Sequence, residues 1–275
     1  MISIIITAYN QREVICQAVE SAMNQTHRHT EIILVDDGST DGTKQLLQER
    51  FGASLRYVRQ ENRGQGAARN TGLEMARGTF VQFLDGDDLL LENKLDRQLE
   101  ALEEHDDCHA IYCDYARFTD DAPDVWIEGT LKHRYRSGDL WPHLLTGNFL
   151  LSHTPLVPLE WLKRVGGFDE DRRISGCEDY ELWLRLSFAG CRFAYLDEVL
   201  ALYRQCEGST SSDQTAQQKR TIRVLKKIHE YAEGMDRRHR KAVNRYISIL
   251  YRQLARNQTF GYFWYLPKSL ISLLR

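Results

Sequence analysis

Three carboxylates stand within four positions of FLDGDDLL, residues 83–90, directly behind an apolar run: Asp85, Asp87 and Asp88. Left unpaired they would repel one another, so the stretch is either a solvated acidic turn or a cation site. A second acidic loop, DDGSTDGT over 36–43, sets Asp36 beside Asp37, and a third pair, Glu178 and Asp179, opens GCEDYELWLRL over 176–186. Carboxylate oxygens with water suit the hard cations Mg²⁺ and Mn²⁺. A positioned carboxylate can also take the proton of a hydroxyl.

Each cluster has an ordinary structural reading. Ser39, Thr40 and Asp41 are good helix caps, with Thr40 or Asp41 expected in that role, which leaves Asp36 and Asp37 unexplained. DGDD alone reads as an acidic turn. Acids in a first helical turn are favoured by the helix dipole, which would account for Glu178 and Asp179 ahead of the core-facing stripe Leu182, Trp183 and Leu186.

The elements that must carry these residues follow from the apolar pattern. ISIIIT (2–7), EIILVD (31–36), LRYVRQ (55–60), TFVQFLD (79–85) and HAIYCDY (109–115) read as strands, the continuous β-branched ones as fully buried. Helical stretches lie near 13–24, 43–50, 65–76 and 93–104. This βαβα order predicts a mainly parallel central sheet flanked by helices on both faces. Such sheets bind ligands beyond the carboxyl ends of their strands. TAYN (7–10), DDGSTDGT and DGDD all follow strands, so two acidic loops gather at one sheet edge. That convergence argues for a shared ligand, a divalent cation bridging phosphates.

A chain of 275 residues with 42% hydrophobic and 27% charged residues has an ordinary globular composition and room for one large domain with an appendage. Met1–Thr7 is apolar but short and lacks a basic leader, and no stretch has the roughly 18 apolar residues of a membrane span. Six cysteines show neither a CxxC pair nor zinc spacing, so reduced, mostly buried thiols and a cytoplasmic location are expected. Charge is uneven: residues 214–275 hold 14 Lys and Arg against 3 Asp and Glu, and the first 213 hold 22 against 36. A main domain over 1–212, carrying the acidic loops, and a basic, amphipathic helical extension over 213–275 are expected. TIRVLKKIHEYAEGM (221–235) and AVNRYISILYRQLAR (242–256) have helical spacing with an apolar stripe. They either pack on the domain with a solvated basic face or dock on the inner face of a membrane. The aromatic- and leucine-rich TFGYFWYLPKSLISLLR (259–275) suits an interfacial anchor better than a span. Nucleic acid is not an expected partner.

Taken together, SIIITAYN, QTHRHTEIILVDDGSTDGT, ENRGQGAARNTGLEMARGTFVQFLDGDD and GGFDEDRRISGCEDYELWLRL resemble the family 2 glycosyltransferases, inverting enzymes with a GT-A fold. The resemblance covers about residues 1–205, with the four blocks in the family's order. It implies that Thr7, Ala8 and Tyr9 lie along the nucleotide base and ribose, and that Asp37, with Asp36 its neighbour in the signature, accepts from the uracil ring nitrogen. Asp85-Gly86-Asp87 matches the DxD motif, with Asp87 and Asp85 as the metal candidates, Asp87 ahead as the direct ligand and Asp85 lying nearer the ribose and sugar. Arg69 and Asn70 would lie near the donor diphosphate or brace the DxD loop. Asp179 matches the general base, and Glu178 would orient the loop or the acceptor. The family usually has Pro before the TYN-like segment where this chain reads ITAYN, so a looser turn is expected there. It also often has a Pro at the position of Glu92.

The resemblance implies an inverting transferase that moves a sugar from a nucleotide-sugar, UDP before dTDP, to a sugar or lipid-linked acceptor with Mn²⁺ or Mg²⁺. Surface polysaccharide or glycolipid synthesis is the setting implied. Two other classes stay open: a sugar-1-phosphate nucleotidyltransferase, although TAYNQREV lacks the glycines of its loop, and a non-catalytic nucleotide-binding module. GQG at 64–66 is no dinucleotide fingerprint, because Arg69 holds the third glycine position. In the acceptor-shaping segment 129–158, Trp141 is balanced between sugar stacking and core, and His153 is not expected to bind metal.

Overall fold

The computed structural model describes residues 1–128, 136–205, 213–231 and 237–257. Strands β1 (Ile2–Ala8), β2 (Thr30–Asp36), β3 (Arg56–Arg59) and β4 (Phe80–Asp85) alternate with helices α1 (Ile15–Met23), α2 (Thr43–Phe51) and α3 (Gln65–Met75). All four strands are parallel, and every residue of β1 is buried between β2 and β4. Register matters here more than length. Thr7 lies opposite Asp85 on one side, and Ala8 lies opposite Asp36 on the other. Three sequence-distant loops therefore leave the sheet at one level.

Past β4 the chain forms β5 (Leu89–Leu90), α4 (Lys94–Glu103), β6 (Ala110–Thr119), β7 (Ala122–Glu128), α5 (Trp141–Leu144), β8 (Pro155–Pro158), α6 (Leu159–Arg164), α7 (Glu178–Phe188) and β9 (Phe193–Arg204). The sheet order is β3-β2-β1-β4-β8-β6-β9-β5, with β7 paired to β6. β8 is antiparallel to both neighbours, so β6, and β9 parallel to it, run in the direction of β4. The sheet is mainly parallel as expected, with β5, β7 and β8 as antiparallel insertions. A four-residue strand bounded by prolines carries no periodicity of its own, which is why β8 was not among the expected strands.

Alternation along β1 separates two cores. Ile4 and Ile6 pack with Ile15, Val19, Leu34, Leu47, Leu84 and Leu95 on the face covered by α1, α2 and α4. Ile5 packs on the other face with Val81, Phe83, Leu73 and the α7 residues Leu182, Trp183 and Leu186. That second core continues into α8 (Gln214–Tyr231) and α9 (Arg237–Asn257) through Ile222, Leu225, Ile228, Val243, Tyr246 and Leu250. The apolar stripes of the basic segment are thus covered by the core of the α/β domain. Residues 259–275, read as an interfacial anchor, lie outside the described residues. Among the described residues no helix is long and apolar enough to cross a membrane. Cys16, Cys113, Cys177 and Cys191 are buried free thiols, and Cys108 is a partly buried one.

Candidate active site

At the first sheet edge, Thr7 and Ala8 are buried and Tyr9 is half exposed. Asn10 takes a left-handed backbone, φ 52°, that asparagine tolerates better than most residues. Its side-chain oxygen accepts the Thr40 N–H at 2.8 Å, and its own N–H donates to Ser39 Oγ at 2.9 Å. The turn without proline is therefore pinned across to the second loop and is not loose. The N-cap position of α2 falls to Gly42, which makes no side-chain cap bond, and not to Thr40 or Asp41; Asp41, one residue earlier, accepts from Thr43 N–H at 3.0 Å and Thr43 Oγ1 at 2.6 Å. Asp36 is fully buried and shapes the loop from inside, accepting from Ser39 N–H at 2.8 Å and Tyr57 Oη at 2.6 Å. Asp37 faces the next loop: Oδ1 accepts from Gln60 Nε2 at 2.7 Å and Arg63 N–H at 2.9 Å, and Oδ2 accepts from Gly64 N–H at 2.8 Å. Oδ2 holds one protein donor and keeps acceptor capacity.

The DGDD turn sorts its three acids into different surroundings. Gly86 is required by space: a Cβ there would come within 2.4 Å of Gln11 Oε1 and 2.8 Å of Ile15 Cδ1. Asp85 is held by protein donors on both oxygens, Oδ1 by Arg69 Nη2 at 2.6 Å and Gln65 Nε2 at 2.8 Å, Oδ2 by Ser152 Oγ at 2.8 Å. Burial opposes its charge, but Arg69 prevails and holds the carboxyl below the usual range. Asp88 is buried, accepts the Arg204 N–H at 2.9 Å, and has His153 Nδ1 at 3.0 Å from its other oxygen. Arg204 also fixes the turn from below, its Nε donating to the Asp87 carbonyl at 2.7 Å. Asp87 is left over. Its carboxylate bonds no other residue among those described, and partial burial with Asp88 and Asp85 alongside pushes it up to about 7.

Arg69 joins this turn to the third acidic pair. It is 2% exposed, and its Nη1 donates to Glu178 Oε1 at 3.0 Å while Nη2 holds Asp85. Burial disfavours its charge, but the two carboxylates overcome that and keep it protonated. Glu178 Oε2 accepts the Gly176 N–H at 2.5 Å, so this residue orients the loop before α7. Asp179, one residue further into the first turn, is not in the Arg69 bridge. Its Oδ1 accepts the Tyr180 N–H at 2.6 Å, its Oδ2 accepts from Asn148 Nδ2 at 3.1 Å, and burial with Glu178 beside it raises it to about 7. Trp183 Nε1 and Tyr180 Oη anchor α7 on the carbonyls of Leu150 and Leu144, which keeps Asn148 in reach. Asn70 turns away from DGDD: its amide brackets the backbone of Phe168, at 2.9 and 2.8 Å, and bonds Glu170 at 2.9 Å.

A family model for glycosyl transferase family 2 matches residues 3–154. The chain is 33% identical over 233 residues to a putative teichuronic acid biosynthesis glycosyltransferase, TuaG, of Bacillus subtilis, covering 83% of this chain and 88% of that one. The chain belongs to glycosyl transferase family 2. Another relative is an Escherichia coli UDP-Glc:alpha-D-GlcNAc-diphosphoundecaprenol beta-1,3-glucosyltransferase, WfaP, 29% identical over 83% of this chain and 86% of that one. A third is Escherichia coli chondroitin synthase, 32% identical over 72% of this chain but only 28% of that longer protein. The fold matches Staphylococcus aureus TarS in complex with UDP-GlcNAc, TM-score 0.70 at 20% identity over 91% of this chain and 71% of that one. It also matches a Pyrobaculum calidifontis mannosyltransferase in complex with GDP-Man and Mn²⁺, TM-score 0.63 at 18% identity over 99% and 78%. This family 2 glycosyltransferase is thus an α/β transferase of the EC 2.4 class with the GT-A architecture.

Which acids of the transferase could hold a cation follows from what each already holds. No group of three or more His, Cys, Asp or Glu residues in metal-holding geometry occurs among the described residues. Asp85 and Asp88 are occupied by protein donors, whereas Asp87 offers oxygens and loses its repulsion if a cation arrives. One carboxylate with water and substrate phosphate is an ordinary shell for Mg²⁺. Trp141 takes the core role, 3% exposed against Phe188. Residues that sequence reasoning left without a role are Gln65 and Ser152 on Asp85, and a buried lysine behind them. Lys94 is fully buried, donates to Gln82 and, at 2.5 Å, to Gln98, and burial lowers it to about 8. Gln82 and Gln98 in turn donate to the carbonyls of His153 and Thr154, both at 2.9 Å, which presents Ser152 to Asp85. The visible signal was a glutamine inside the apolar run TFVQFLD, which needs a partner when buried.

Proposed function

We propose that this glycosyltransferase transfers a sugar from a UDP-sugar to an acceptor hydroxyl with inversion, in polysaccharide or glycolipid synthesis. The observation that carries the reading is the Arg69 bridge, 2.6 Å to Asp85 and 3.0 Å to Glu178, which makes the DxD turn and the ED pair one constellation. Asp37 accepts from the uracil ring through its less occupied Oδ2, and Tyr9 lies along the base. Asp85, held by Arg69 and Ser152, faces the ribose and sugar. Asp87 ligates Mn²⁺ or Mg²⁺, which when bound neutralises charge on the leaving diphosphate. Asp179 is the general base: as the acceptor oxygen bonds to the anomeric carbon, the hydroxyl proton passes to its carboxylate, and the bond from that carbon to the diphosphate oxygen breaks. A carboxyl raised to about 7 is suited to accept a proton near neutral pH.

The acceptor class is the finer part of the proposal. WfaP acts on a diphosphoundecaprenol-linked sugar by its name, and a lipid-linked acceptor would place this enzyme beside a membrane. Supporting that reading, α9 carries seven Lys and Arg and no Asp or Glu, with Lys241, Arg245 and Arg252 on its exposed side next to half-exposed Tyr251. Such a face is attracted to anionic lipid.

The test of donor class is thermal unfolding with UDP, GDP and dTDP, each with and without Mn²⁺. UDP with Mn²⁺ should raise Tm by mass action, about 2.7 kcal/mol at a hundredfold excess over Kd. Stabilisation by GDP alone among the three would overturn the UDP assignment.

A further inference from the structure

Helix α8 does more than cover the core. The loop over 166–177 delivers Glu178 and Asp179, and it is held on its inner side by Asn70 and by the Arg63–Glu170 pair at 2.6 Å. Its Asp169 carbonyl sits so close to Gly66 that a Cβ there would come within 2.7 Å. With Arg63, Gly64 and Gln65, the loop lines a cleft that ends at Glu178. The outer side is held by α8. Lys227 Nζ donates to Asp169 Oδ2 at 2.6 Å and lies 2.8 Å from Asp171 Oδ2. Arg223 Nη1 donates to the Arg173 carbonyl at 3.2 Å, and Gln217 Nε2 reaches the Gly176 carbonyl at 3.4 Å.

The contacts of Lys227 connect to the base in short steps. Asp171 accepts the Arg173 N–H at 3.0 Å and so caps the 3-10 turn Arg172–Ile174. Ile174 is fully buried, and its carbonyl accepts the Cys177 N–H at 2.8 Å, immediately before Glu178. One ammonium thus ties two carboxylates of a turn whose far end sets the start of α7.

We propose that Lys227 is a positioning residue for the transfer reaction: from α8 it holds the 169–171 turn against α3 and thereby keeps Glu178 and Asp179 in place. This rests on the reading of Asp179 as the base. Lys227, Asp169 and Asp171 are partly buried, 30%, 25% and 16% exposed; a pair that only packs a helix would alter stability and leave kcat alone, so a purely structural Lys227 and a positioning Lys227 predict different outcomes.

Lys227→Met keeps the stem and removes the charge. Hydrogen exchange over 169–178 should accelerate about tenfold while α8 itself stays protected. Turnover, read as UDP release from UDP-glucose or UDP-GlcNAc with Mn²⁺ and water as acceptor, should fall in kcat by about 5- to 10-fold, since small misplacement of a catalytic group is costly. The Kd for UDP should stay within about twofold, because the donor residues are untouched. Lys227→Arg should restore both exchange and kcat. Unchanged exchange in Lys227→Met overturns the clamp, and faster exchange with unchanged kcat overturns positioning. If the wild type turns over neither sugar while binding UDP, the donor sugar is a different one, and the exchange arm alone decides whether α8 holds the loop, unchanged exchange overturning the proposal.

Discussion

The donor edge and the base edge of this molecule are built in different ways. At the donor edge, the loops leave parallel strands in register, and Asp36 and Asp37 are held within their own stretch of sheet. Asp36 and Asp37 are fixed by groups of residues 39–64, mostly backbone N–H groups, and Gly86 N–H bonds the Thr7 carbonyl across adjacent strands at 3.0 Å. At the base edge, by contrast, the partners are side chains from far along the chain. Glu178 depends on Arg69, Asp179 on Asn148, and the loop before them on Lys227. The donor edge should therefore tolerate loss of a single side-chain partner better than the base edge does, and Arg69 is where the two meet.

Replacing Arg69 tests that junction with the largest expected effect. Arg69→Met leaves a buried carboxylate, Glu178, and a partly buried one, Asp85, without their cation, and removing one partner of a buried ion network costs about 3–5 kcal/mol. Thermal unfolding should show a Tm drop on the order of 10 °C for a chain of this size. An unchanged Tm would mean that the two edges are independent.

Asp179→Asn keeps shape and removes the base, so kcat should fall by on the order of 10² or more with UDP binding retained. In the wild type, kcat should rise with pH through about 7, because the base works when deprotonated and burial beside Glu178 holds its proton to that value. In the Asn variant that limb should vanish. Near-normal turnover would move the role away from Asp179.

The smallest expected effect concerns α9. Lys241→Gln, Arg245→Gln and Arg252→Gln together should reduce sedimentation with anionic liposomes at low salt by severalfold, each basic residue near the surface contributing at most about 1 kcal/mol. Equal, negligible sedimentation of wild type and variant would leave the basic face merely solvated.

The same contrast explains how much was legible in the sequence. Strands β1–β4 and helices α1–α4 fall within two residues of the periodicity reading, because period-2 and period-3.6 patterns are local. The acids at the donor edge were visible for the same reason: they follow apolar runs. The division of labour among Asp85, Asp87 and Asp88 was not, since it depends on Ser152, Arg69, Arg204 and His153 arriving from elsewhere. Likewise the amphipathic stripes of α8 and α9 were readable, but a stripe names a buried face and not its partner. That Lys227 meets Asp169 is tertiary information.

On the proposed function, the DGDD turn keeps one carboxylate, Asp87, in reserve for a cation that carries the donor diphosphate. Isothermal calorimetry of UDP with Mn²⁺ on Asp87→Ala tests it most directly. Metal-dependent UDP binding should be lost while Tm without ligand is kept, since Asp87 supports no other side chain among the described residues. Binding of UDP with Mn²⁺ as tight as in wild type would contradict it, and would make DGDD an acidic turn.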